Sequence, residues 1–144
     1  MWMNFINKIS PDYYFKNPAT KSELNEIKEQ LNVELPIDLI NLFSETNGVF
    51  DEFNSPLIWS TKQIIRDNLS LRKDRDFKDL YMPFDHLLFF SDAGNGDLFG
   101  LAILNGVIQK EDVFVWDHEC DSRRWIASSL EDFIEGWVTS RIGV

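Results

Sequence analysis

One cysteine, two histidines and no long apolar run set the first limits on this chain. Cys120 has no partner for an internal disulfide, which excludes a cystine-held secreted scaffold and favours a reducing compartment. No stretch approaches the roughly 18 apolar residues of a membrane helix. The opening MWMNFINKIS lacks the apolar core and small-residue cleavage site of a secretory signal, so a cytoplasmic protein is expected. Positive charge is also scarce: 14 Lys and Arg stand against 24 Asp and Glu, a net charge of -10. That balance repels nucleic acid and anionic membranes and favours cationic partners. Glycine and proline gather into no linker and no segment repeats, so residues 1–144 read as a single domain with its own core.

The acidity is spread along the chain. Residues 22–60 hold eight acids and one base, and residues 81–140 hold eleven acids and three bases. Between them, residues 61–80 carry six bases and four aspartates. The stretch RKDRDFKD reads as a solvated helix end and loop, because a single aromatic, Phe77, among interleaved aspartates makes a poor platform for stacking bases.

The periodicity predicts an α+β chain. The aromatic-rich first twenty residues are expected to pack onto the body. Thr20 and Glu23 form a capping box before Leu24, Ile27 and Leu31, which predicts a helix over 21–31. Pro36 suits the first turn of a second helix with Leu39, Ile40 and Phe43 inward, stopped at Asn47-Gly48. A short strand at 56–59 and a third helix from Ser60 to about Leu71 follow, then a loop over 74–86. Apolar runs at 87–90 and 98–104 flank a turn of Gly, Asn and Asp. Asn105-Gly106 suits a type I′ turn, Val113 to Trp116 is a further strand, and Trp125 to Ala127 an edge strand. Ser128 is placed to cap a last helix whose stripe of Leu130, Phe133, Ile134, Trp137 and Val138 must cover a sheet.

Chemistry-bearing clusters are few. Gly94, Gly96 and Gly100 miss the dinucleotide spacing by one residue, and a strand follows where a helix is required. Asp92, Asn95 and Asp97 offer oxygens without a calcium loop's spacing. His118, Glu119, Cys120 and Asp121 crowd four ligand types into one turn, whereas structural zinc joins separated pairs. The neighbouring acids also raise a thiol's pKa and so oppose a nucleophilic Cys120, which is read as a buried or half-buried thiol in a polar turn. No catalytic, cofactor or metal residue is therefore assigned. Trp116, Trp125 and Trp137 read as core, Trp2 and Trp59 as undecided.

Three segments in order resemble the SUKH superfamily. They are the Leu-Pro, helix, Asn-Gly run over 35–49, the Gly-Asp hairpin over 88–99, and the strand and helix over 113–119 and 126–133. The hairpin departs from the commoner pattern in placing Asn95 between Gly94 and Gly96. The chain looks especially similar to YobK-type bacterial immunity proteins. This resemblance implies a single α+β domain with an antiparallel sheet and helices packed on it, and a non-enzymatic role without a cofactor. It further implies an immunity protein that neutralises a cognate polymorphic or contact-dependent toxin, a nuclease being the expected target. A regulatory scaffold of the same fold is the alternative, and a small-ligand or hydrolytic role a third. An acidic protein suits the cationic face of a nuclease, and loops are where such contacts sit. The expected partner-binding residues are Glu45, Asp51, Glu52, Asp92, Asp97, Asp117, Glu119 and Asp121, with Trp59 as an aromatic anchor.

Overall fold

The computed structural model describes the backbone of residues 1–144 and every side chain except those of residues 75 and 77. Phe77, the one aromatic of the mixed-charge stretch, thus has its side chain outside the described residues. The chain begins with helix α1 (Trp2–Ile9), which buries Trp2 and Ile6, and a short strand β1 (Tyr14–Phe15). Helix α2 (Lys21–Leu31) starts at the expected capping box, Thr20 Oγ1 accepting from Glu23 N while Glu23 accepts from Thr20 N. Helix α3 (Ile37–Glu45) follows, with Pro36 at its N-cap.

Strands β2 (Val49–Phe50) and β3 (Pro56–Ile58) pair antiparallel and β1 joins β2, giving a three-stranded sheet. Helix α4 (Thr61–Lys73) then packs on α2. The segment expected to be a loop contains helix α5 (Arg75–Leu80). Asp74 breaks it from α4 and accepts the Asp76 N–H at 2.8 Å, a local cap that no apolar period announces.

The second sheet has the order β4 (Leu87–Asp92), β5 (Leu98–Ala102), β6 (Val113–Asp117), β7 (Ser122–Ala127), antiparallel throughout. Helix α6 (Leu130–Val138) lies against it. The two sheets meet where the Trp59 N–H donates to Phe90 O at 2.9 Å and the Ser91 hydroxyl donates to Leu57 O. Register skips Phe90 between Phe89 and Ser91, a bulge that re-aims successive side chains. Phe90 meets Phe133 of α6, whereas Phe89 packs with Phe84 and Trp116. The all-apolar run of β4 is thus buried on both sides.

Several local expectations shift. Ser129, one residue beyond Ser128, caps α6 by accepting from Asp132 N. Leu130, Phe133 and Ile134 are buried, while Trp137 and Val138 at the helix end are half-buried. Asn105 and Gly106 adopt φ of 54° and 76°, and Leu104 and Val107 exchange bonds of 2.9 and 3.1 Å, the expected tight turn. It is a brief excursion ahead of β6 and not the β5–β6 connection itself. Trp125, expected in the core, is 53% exposed, because β7 is the outer edge strand and offers it neighbours on one side only. Trp2 and Trp59 are both core residues.

Candidate functional site

Asn47 and Gly48 explain the polar joint behind the helices. The Asn47 amide oxygen accepts from Thr61 N at 2.8 Å, its amide nitrogen donates to Glu23 and Thr61 Oγ1, and its N–H reaches Asn17 O. One side chain therefore ties α3 to the starts of α2 and α4. Gly48 has φ of 97°, and a Cβ there would stand 3.0 Å from the Phe50 ring and 3.1 Å from Ile58 O. Only glycine fits this path.

The nine expected binding residues divide by what they already hold. Glu45 is bound internally: its carboxylate accepts from the Met1 ammonium and from Trp2 N and Met3 N, closing the start of α1. Burial pushes its pKa up, but those donors outweigh it and hold the carboxyl below its ordinary value. Trp59 is 2% exposed and sits in the core, so it does not project as an anchor. Its indole N–H donates to Asp92 Oδ2 at 2.7 Å.

Asp97 is 6% exposed and faces inward. Its Oδ1 takes His118 N at 3.1 Å and His118 Nδ1 at 2.6 Å. Asp121, in a left-handed conformation, clamps the β6–β7 turn to the preceding loop. It accepts from Trp116 Nε1, Arg123 and Met82 N, and these donors overcome its burial to lower its pKa. None of these four is a free surface group.

The remaining five lie at the surface in two places. Asp117 and Glu119 occupy the β6–β7 turn, where Asp117 accepts from Glu119 N. Cys120 beside them is exposed, contrary to the expected buried or half-buried thiol, because it lies in the turn beyond the end of β6. Asp51, Glu52 and Asp92 belong to the turns after β2 and β4. Asp51 Oδ1 accepts from Phe53 N and Ser55 N, both at 2.9 Å, which fixes the tight β2–β3 turn.

Asp92 lies between two grooves. One, of about 300 Å³, is lined by Tyr13, Asp51, Asp92 and Gly94 among others. The other, of about 380 Å³, is lined by Trp59, Asp67, Asp92 and Gly94 among others. Asp67 is bound to Arg66 and Gln63, whereas neither Asp51 nor Asp92 has an ion-pair partner among the described residues. Two residues here carry no sequence signal as binding groups: Asp67, which only the tertiary structure sets beside Asp92, and Phe53, which is 81% exposed.

For a metal, the one close donor set among the described residues is Asp97, Asp117 and His118, with donor atoms within 4.8 Å of one another. The Asp97–His118 hydrogen bond already joins two of the three. Hence the set reads as a structural pair with a surface acid beside it. The sequence's zinc candidates, by contrast, are dispersed: Asp121 is clamped inward and Cys120 points out.

Residues 21–134 match the family described as SMI1-KNR4 cell-wall, SUKH_6. The chain belongs to this SUKH family. No curated protein matches it. SUKH domains are a non-catalytic protein-interaction fold associated with toxin immunity, so this chain is not an enzyme. The match covers the Asn47 joint, both grooves' principal carboxylates and the α6 stripe to Ile134. No helix among the described residues is long and apolar enough to cross a membrane.

Proposed function

We propose that this SUKH domain is an immunity protein of the YobK type. In this reading it acts in the cytoplasm, binds the toxic domain of a cognate bacterial toxin and blocks access to its substrate. The favoured target is a nuclease, whose phosphate-binding face must be cationic. The observation that carries this reading is the pairing of the family with a net charge of -10, part of it on loop carboxylates without a cation, Asp51 and Asp92 foremost. Opposite fields speed encounter, and a stable contact buries about 1,200–2,000 Å² in total.

The family's cell-wall description favours one second reading, a regulatory scaffold that binds an endogenous protein. A toxin reading frame beside its gene favours immunity and its absence the scaffold, and co-expression with such a frame separates the two. Survival that depends on this protein supports immunity. Equal killing with and without it removes immunity and leaves the scaffold.

A further inference from the structure

We propose that the docking surface for a basic partner is the turn end of the β1–β2–β3 sheet together with the Asp92–Gly94 ridge, with Phe53 as the inserted anchor. This rests on the immunity reading and adds which surface is used and what chemistry meets it. Three observations converge on the place.

Phe53 is 81% exposed, the highest value among the exposed large hydrophobic side chains. It is not on a loose loop: the Asp51 carboxylate holds Phe53 N and Ser55 N, Asp51 N bonds Ser55 O, and Asn54 N bonds Asp51 O. A rigidly presented aromatic loses little conformational freedom when a partner covers it, which is what contact anchors require. Exposed Tyr14 belongs to the same small sheet, opposite Phe50.

The second observation is that two grooves share Asp92 and Gly94, one bringing Asp51 and the other Asp67 to the shared carboxylate. Asp92 is oriented from behind by the Trp59 indole and the Gly94 N–H, neither of which brings a positive charge. A Cβ at Gly94 would meet nothing within 4 Å, which leaves the ridge between the grooves low and open. The groove lined by Trp59, Leu71 and Leu98 together with the Asp67 and Asp92 carboxylates suits the stem and head of a Lys or Arg side chain.

The third is the field. Tyr13 and Asp51 line one groove, where burial first and the Asp51 carboxylate second push the Tyr13 pKa up. A second copy of this chain would set like charges face to face, whereas a cationic domain with an apolar cleft meets both the rim and the anchor.

The test measures binding to an inactivated form of the toxin domain encoded beside its gene. It compares wild type, Phe53→Ala, the pair Asp51→Asn with Asp92→Asn, and the pair Glu29→Gln with Glu131→Gln, both exposed, as a control of equal charge change. Asparagine keeps the one oxygen that the β2–β3 turn uses at Asp51 and one acceptor for Trp59 at Asp92, giving up the Gly94 N–H bond, and melting temperatures check folding. Phe53→Ala is expected to speed dissociation at least tenfold. The Asp51 and Asp92 pair should slow association severalfold at low salt, and the control pair distinctly less. If Phe53→Ala and the Asp51, Asp92 pair bind as wild type while the control pair weakens, the surface is overturned and the immunity reading stands. If wild type neither binds nor protects cells, both fall. Self-association that Phe53→Ala abolishes would assign the surface to a second copy and overturn the cationic partner.

Discussion

Asn68 shows how much one buried polar side chain can organise. Its amide oxygen accepts from Phe89 N at 2.9 Å and its amide nitrogen donates to Phe89 O at 2.9 Å and Ile64 O at 2.7 Å. It thus stands in for a neighbouring strand beside β4. Asn68→Ala should cost about 1–3 kcal/mol for each Phe89 group left unpaired, read as a lower urea midpoint. His118 gives the pH counterpart. The Asp97 hydrogen bond raises its pKa, burial opposes it, and the charges of Asp97, Glu119 and Asp117 add to the rise. The proton is held more tightly folded than unfolded. Its stabilisation is therefore full below about 6.5 and is lost as pH rises through the raised folded value. His86 acts oppositely, lowered by burial and by the Arg123 guanidinium. The readout is accordingly the difference between wild type and His118→Gln in urea midpoints from about pH 5.5 to 8.5. The wild-type advantage should shrink at the alkaline end, and a constant difference would show that the pair does not titrate in this range.

At the scale of elements, α6 is held by an aromatic stack. Phe133 is fully buried, with ring centroids 5.5 Å from Phe90 and 4.7 Å from Phe99, whereas Trp137 at the helix end meets Phe99 at 5.1 Å and is only half-buried. Phe133→Ala should cost about 3–5 kcal/mol and Trp137→Ala distinctly less, measured as unfolding free energies. The β6–β7 hairpin depends on a different device. Arg123 donates to Asp121, Met82 O and Pro83 O, and its guanidinium lies 4.8 Å from the Phe84 ring centre. The Asp121–Arg123 pair is mostly screened from water, so removing one partner strands the other. Asp121→Ala should therefore loosen the 81–84 segment as well as the turn, seen as faster amide exchange at Met82, whose N–H bonds that carboxylate.

Across the whole molecule the charge is the feature with the longest reach. With -10 over 144 residues, association with a cationic partner should slow steeply as salt rises from about 0.05 to 0.5 M, because the Debye length falls from roughly 14 to 4 Å. Dissociation, governed by desolvated contacts such as an inserted aromatic, should change much less. Stopped-flow rates across that range check both limbs. A salt-independent association rate would show that the acidity serves solubility and does not steer binding.

Local chemistry was legible where it is self-contained. The Thr20–Glu23 box, the Asn105-Gly106 turn and the Leu130, Phe133, Ile134 stripe each depend on residues a few positions apart, so the sequence alone determined them. The α+β class followed from the helix and strand periods, and the family from the ordered segments over 35–49, 88–99, 113–119 and 126–133. The tertiary structure decided which acids are free. Glu45 sits 42 to 44 residues from the donors it accepts, and Asp97 sits 21 from His118; no spacing rule reports such partners. It also decided that Trp59 is core, that Trp125 and Phe53 are exposed, and that Asp67 joins Asp92 at a groove. The reason is that helix and turn signals are set by neighbours along the chain, whereas burial and ion pairing are set by neighbours in space. An aromatic or a carboxylate looks the same in either environment until the strands around it have found their order.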